Sequence, residues 1–222
     1  MLAAMAEPTG EIEIELKVTV RAEDLDRLRA ASRPVRAEPQ VNVYYDSPDL
    51  RIGADGGSCR VRITPGHAGF TLKKPIGQDV PRRCLELPAD PRAVFPPGRF
   101  LPRRVRVGAL GVPRIESALL SFGVHELVRL GAMRCRREIV ILGGERGPET
   151  ALDTVRLPDG TVFHEVEVEA VDGDLVPLRL AAGFIGNLCP GSTPSDRSKY
   201  QRFLEVVARQ RGPGLFPPPD SR

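Results

Sequence analysis

The chain has 222 residues, enough for one large domain or two small ones. Its 41% hydrophobic and 27% charged residues are ordinary for a water-soluble globular protein, and no stretch approaches the length of a membrane span. The formal net charge is +3, so bulk charge gives no reason to expect nucleic acid as a partner.

Residues 1–10 read as a flexible leader without the basic segment and apolar run of a signal peptide. At Glu11 a strict alternation begins: Glu11, Glu13, Glu15 and Lys17 are charged, and Ile12, Ile14 and Leu16 between them are aliphatic. Period two predicts a strand with one polar and one apolar face over 11–20. Further strands are predicted at 41–46, 58–64, 69–74, 82–87, 103–108, 127–142, 150–156 and 161–170. Turn signals such as Pro65-Gly66, Gly143-Gly144 and Pro158-Asp159-Gly160 separate them. Helices are predicted at 23–31, 115–122, 175–188 (with Pro177 in the first turn) and 196–210. The Pro-rich segment 211–222 reads as a disordered tail. Residues 11–210 then form one antiparallel, β-rich domain with peripheral helices. The four cysteines have no Cys-x-x-Cys spacing and no histidine at ligand spacing. They read as reduced thiols in a cytoplasmic protein.

The polar faces of these strands carry more information than the strands themselves. Glu165, Glu167 and Glu169 repeat the alternation of the first strand. Between the two acidic strands the polar positions are basic: Arg60 and Arg62, Lys73 beside Thr71, Arg82 beside Cys84 and Glu86, then Arg134 and Arg136 beside Glu138. Either Arg82 or Arg83 is the inward residue of its strand. Any one strand is explained by a sheet face turned to water. Segregation of the signs is not, because a solvated face interleaves them. An acidic wall opposite a basic wall suits a metal–polyphosphate site. Carboxylates hold Mg²⁺ or Mn²⁺, and Arg and Lys neutralise the remaining phosphate charge. If the sheet closes, the polar faces line a tunnel.

Glu13-x-Glu15-x-Lys17 resembles the Glu-x-Glu-x-Lys signature of CYTH domains, also called triphosphate tunnel metalloenzymes. Tyr44-Tyr45-Asp46-Ser47-Pro48, Arg60-x-Arg62, Thr71-x-Lys73 and Arg134-x-Arg136 follow in the family's order. So do Asp153, the pair Glu165-x-Glu167 and the run Ser198-Lys199-Tyr200. The resemblance implies a mainly β fold with an eight-stranded antiparallel closed barrel. It implies Glu13, Glu15, Asp153, Glu165 and Glu167 on the metal side. Lys17, Arg60, Arg62, Lys73, Arg82, Arg134, Arg136 and Lys199 would contact phosphate. Glu13, Glu15 and Lys17 would act in catalysis, Lys17 by orienting or activating the attacking water. Cys84 stands where the family commonly has an acidic residue, and Glu11 and Glu169 lie outside its short signatures.

No Ser-His-Asp or Cys-His arrangement and no Walker-type lysine loop occurs. The expected activity is Mg²⁺- or Mn²⁺-dependent hydrolysis of a small-molecule triphosphate. The chain has no tryptophan and only 5% aromatic residues to stack on an organic moiety, which favours inorganic tripolyphosphate. Thiamine triphosphatase and class IV adenylate cyclase are the alternatives on the same fold. A non-catalytic polyphosphate-binding module is the alternative of another class. A homodimer is compatible with the sequence.

Overall fold

Alternating charged and aliphatic residues place Glu11–Val20 (β1) in a strand whose two faces differ in kind. The computed structural model describes residues 11–77, 82–95, 101–170, 172–195 and 197–211. The leader expected at 1–10 lies outside the described residues, as does the expected tail beyond Arg211. After β1 come α1 (Ala22–Ala30), β2 (Ser32–Asp46), α2 (Arg51–Ala54), β3 (Ser58–Thr64), β4 (His67–Pro75) and β5 (Arg82–Ala89). The middle of the chain holds α3 (Pro91–Val94), β6 (Arg104–Arg106), α4 (Pro113–Ser121) and β7 (Glu126–Leu142). β8 (Glu149–Arg156), β9 (Val162–Glu169), α5 (Val176–Leu188), β10 (Thr193–Pro194) and α6 (Lys199–Arg211) complete it.

Strands pair in the order β1-β5-β4-β3-β2-β7-β8-β9, and β9 pairs back with β1. The ring is an eight-stranded antiparallel closed barrel, with β6 appended to β7 and β10 to β1. Closure pairs the first and last strands of the sheet and gives it an inside and an outside.

Apolar residues on the outer face are covered by helices on two sides. Val18, Leu152, Val166 and Val168 pack under Leu25 and Leu28 of α1 and Leu178 and Ile185 of α5. Val43, Val61, Phe70 and Leu72 pack under Val94 of α3 and Ile115 and Leu119 of α4. A third cluster differs. Tyr44, Met133, Cys135 and Val155 lie with Tyr200, Phe203, Leu204 and Val207 of α6. Tyr44 and Cys135 belong to the polar-lined interior, so α6 closes one end of the barrel.

β2 extends nine residues before the strand expected at 41–46. Pro34 and Pro39 conceal it, because proline cannot donate to a ladder. The pairing of β2 with β3 begins only at Val41, while its pairing with β7 runs from Ser32. The first half of β2 is therefore an edge, where a missing N–H is tolerated, and a bulge between Pro34 and Arg36 absorbs one of the two prolines.

Candidate active site

The pleat of β1 sends Glu13, Glu15 and Lys17 inward, while Ile14, Leu16 and Val18 join the outer core. β9 lies beside it in a register that opposes Lys17 to Glu167 and Glu15 to Glu169. The two acidic strands are thus neighbours in the ring and form one wall. Arg60 and Arg62 of β3 and Lys73 of β4 supply the facing wall, and Arg62 Nε donates to Asn42 Oδ1 at 3.2 Å. Between the walls is a cavity of about 330 Å³. Ser198, Lys199 and Tyr200 of the α6 segment line its closed end.

Two charge clusters divide this space. At the closed end Lys199 Nζ lies 2.9 Å from Asp153 Oδ2 and 2.9 Å from Glu165 Oε2, and it also pairs with Glu167. Lys199 opens α6, where the helix dipole disfavours a cation, so these carboxylates are what hold it there. Arg137 of β7 completes the cluster. Its Nε donates to Asp153 Oδ1 at 2.9 Å and its Nη2 to Asp153 Oδ2 at 2.5 Å, and it also pairs with Glu167. Burial alone would lower the Lys199 ammonium, yet Asp153, Glu165 and Glu167 hold it well above the usual lysine range. Burial would likewise raise Glu167, but Lys17, Lys199 and Arg137 keep it well below the usual carboxylate range.

The second cluster is acidic in excess. Single carboxylate oxygens of Glu13, Glu15 and Glu169 lie within 4.8 Å of one another. Lys73 pairs with Glu13 and sits 3.3 Å from Glu86 Oε2, and Lys17 Nζ sits 2.7 Å from Glu15 Oε1. Glu169 is the exposed member of the three, yet partial loss of hydration at the cavity wall, with Glu13 alongside, pushes its carboxyl up to about 7. Three converging carboxylates with no soft donor suit a hard divalent cation such as Mg²⁺ or Mn²⁺. Cys84, opposite Glu13 in the β1–β5 ladder, lines the same cavity, and burial raises its thiol.

The structure therefore brings together Glu13, Glu15, Lys17, Arg60, Arg62, Lys73, Glu167 and Lys199 on the cavity wall, with Asp153 and Glu165 buried behind Lys199. It departs from the sequence reading at Arg134 and Arg136. Both are exposed on the outside of the barrel, and the inward arginine of that strand is Arg137. Inward positions near α6 are apolar (Met133 and Cys135 pack on it), so polarity reversed the parity assignment. The register offers the missing signal, since Arg137 is opposite Asp153. Arg82 pairs with Glu15 in the ladder, and its side chain lies outside the described residues; Arg83 is exposed. Glu169, which no short signature includes, stands among the tunnel carboxylates.

A charged cavity inside a closed eight-stranded barrel, one end of which α6 fills, is what the fold presents. Residues 11–178 match the CYTH domain family, and the chain belongs to it. Solved structures agree on the fold. A proposed adenylate cyclase of Bacillus halodurans is 19% identical, with a TM-score of 0.63 over 88% of this chain and 98% of that one. A proposed adenylyl cyclase of Hippeastrum with a dominant triphosphatase activity is 20% identical, with a TM-score of 0.67 over 87% of this chain and 96% of that one. No curated protein matches the chain in sequence.

Proposed function

We propose that the chain is a metal-dependent phosphohydrolase that cleaves inorganic tripolyphosphate inside its tunnel. The observation that carries this reading is the division of one small cavity into a three-carboxylate cluster, to which Lys73 is ion-paired through Glu13, and a facing pair of guanidinium groups, Arg60 and Arg62. The family and the Hippeastrum likeness support triphosphate chemistry in general; the choice of substrate is argued from the cavity. At about 330 Å³ it sits at the small end of ligand pockets. Its aromatic residues are already engaged. The Tyr44 ring packs at a tilt, its centroid 4.8 Å from that of Tyr200 and 4.9 Å from that of Phe203, while Tyr45 packs on Phe95 outside the barrel. Among the described residues, no ring other than Tyr44 and Tyr200 lines the cavity to hold a base or a thiamine.

Glu13, Glu15 and Glu169 would hold Mg²⁺ or Mn²⁺, which when bound would neutralise phosphate charge and polarise the phosphorus under attack. Arg60, Arg62 and Lys73 would bind phosphate oxygens. The Arg62 guanidinium is lowered to about 10 by burial and by Arg60, and so stays charged near neutral pH. Burial lowers Lys17, but Glu167 and Glu15 more than reverse this and raise it above its ordinary value. Lys17 is therefore a donor that orients the substrate or water, and not a base. Asp153, Glu165 and Glu167 set the charge of Lys199 and Arg137 at the closed end. The reaction needs position and electrostatics more than covalent help.

The test is phosphate release from tripolyphosphate, ATP and thiamine triphosphate with Mg²⁺ or Mn²⁺. Tripolyphosphate should give the highest kcat/KM. A faster organic substrate would overturn the substrate choice. Tight tripolyphosphate binding with no release from any substrate would make the chain a binding module.

A further inference from the structure

The arginines that the tunnel does not use form a surface of their own. Arg134 and Arg136 project from the outer face of β7, and Arg156 of β8 stands directly opposite Arg134 in the ladder. All three are exposed. Like charges directly opposed on neighbouring strands are destabilising, with their Cβ atoms about 4.5–5.5 Å apart. Arg134 and Arg156 have no ion-pair partner among the described residues. Arg136 has only a 3.5 Å approach to Glu138, and its side chain is 69% exposed. Glu138 is itself held by Arg29 at 2.7 Å. The helices of the outer wall cover other parts of the barrel: α1 and α5 lie over β1, β9 and the far ends of β7 and β8 (Val140, Leu142 and Leu152), and α3 and α4 over β3 and β4. The basic face is therefore bare among the described residues.

We propose that this face of β7 and β8 is a docking surface for a phosphate polymer, a polyphosphate chain longer than the tunnel's own substrate. Three guanidinium forks on one exposed face match the oxygens of successive phosphates, which a planar fork contacts bidentately. The neighbouring outward positions are Pro39, Val41, Ala132, Thr154, Val162 and His164; none is Tyr or Phe, and the single aromatic ring among them, His164, is half-buried and lies 3.2 Å from Thr154 Oγ1. A polymer with phosphates and no bases fits that surface better than RNA does. The choice of polyphosphate rests on the proposed tripolyphosphatase activity; the surface itself does not.

The probe is fluorescently labelled long-chain polyphosphate, added to the full chain with saturating tripolyphosphate so that the tunnel is filled. The wild type should bind, and binding should weaken steeply with salt. Arg134→Glu/Arg156→Glu should lower the affinity by about tenfold or more, as expected for lost phosphate contacts. Its phosphate release from tripolyphosphate should stay at the wild-type rate. Arg134→Gln/Arg156→Gln, milder for folding, should show the same loss to a smaller degree. Equal affinity in wild type and variants would overturn the proposal. So would full displacement of the polymer by tripolyphosphate, or tighter binding of a single-stranded RNA of matched charge. A chain that loses the polymer in the variants yet never hydrolyses tripolyphosphate would sink the enzymatic reading and leave the docking surface standing.

Discussion

Asp153 shows how finely this site depends on single residues. It is fully buried, yet it carries a charge, because Arg137 forks onto it and Lys199 lies 2.9 Å away. Burial would raise its carboxyl, and Lys199 and Arg137 hold it below the usual range instead. A depressed carboxylate contributes stability above its unfolded value, and that contribution is lost as pH falls through the folded value. Asp153→Asn leaves two buried cations short of a partner and should cost about 3–5 kcal/mol. Thermal melts at neutral pH should show the loss, and the gap to wild type should narrow as the pH drops below the ordinary carboxylate range. A variant that melts with wild type at neutral pH would show the pair to be dispensable. The tunnel carboxylates were legible in the sequence because their strands alternate without interruption. Arg137 was not, because Arg134, Arg136 and Arg137 place basic residues on both faces of one strand. Only the ladder, which sets Arg137 beside Asp153, decides between them.

Among the elements, α6 does the most to shape the site. Its Tyr200 hydroxyl donates to Asp46 Oδ2 at 2.5 Å, and the same carboxylate accepts from the backbone N–H groups of Ile52 and Gly53 in α2. One buried aspartate thus joins the end of β2, the short α2 and the closing helix. Gly53 permits the approach: a Cβ there would lie 2.6 Å from Leu204 Cδ1 and 3.3 Å from the Tyr200 ring. Gly53→Ala requires the movable end of Leu204 to shift while Asp46 Oδ2 stays 3.2 Å away, and should destabilise by about 1 kcal/mol, the low end of overpacking costs. Tyr200→Phe should cost about 1–3 kcal/mol by leaving a buried acceptor short of a donor. Chemical denaturation with both variants checks this; unchanged midpoints would mean that α6 is not anchored here. The helical pattern of α6 was plain in the sequence, from Tyr200, Phe203, Leu204 and Val207. Its destination inside one end of the barrel was not, since an apolar face does not say which cavity it fills. The edge half of β2 was hidden for the opposite reason, its prolines speaking against a strand that only one neighbour pairs with.

At the scale of the molecule, closing the sheet turns a run of unremarkable amphipathic strands into a site. The order of the motifs predicted the family, and the barrel joins the first and last acidic strands that the sequence keeps about 150 residues apart (Glu15 and Glu167). None of the described helices is long and apolar enough to cross a membrane. The closed end also gives the tunnel a direction. Lys199 and Arg137 engage Asp153, Glu165 and Glu167 in a floor of paired charges, and the acidic excess of Glu13, Glu15 and Glu169 is where a divalent cation would gain most. The decisive measurement is phosphate release from tripolyphosphate by Glu13→Gln across a range of Mg²⁺ and Mn²⁺ concentrations. Release should fall about 10²-fold or more at every concentration, in line with the loss of an electrostatic catalytic group, while the melting temperature holds. Wild-type release by that variant would contradict the placement of the metal and, with it, the tunnel as the seat of the reaction.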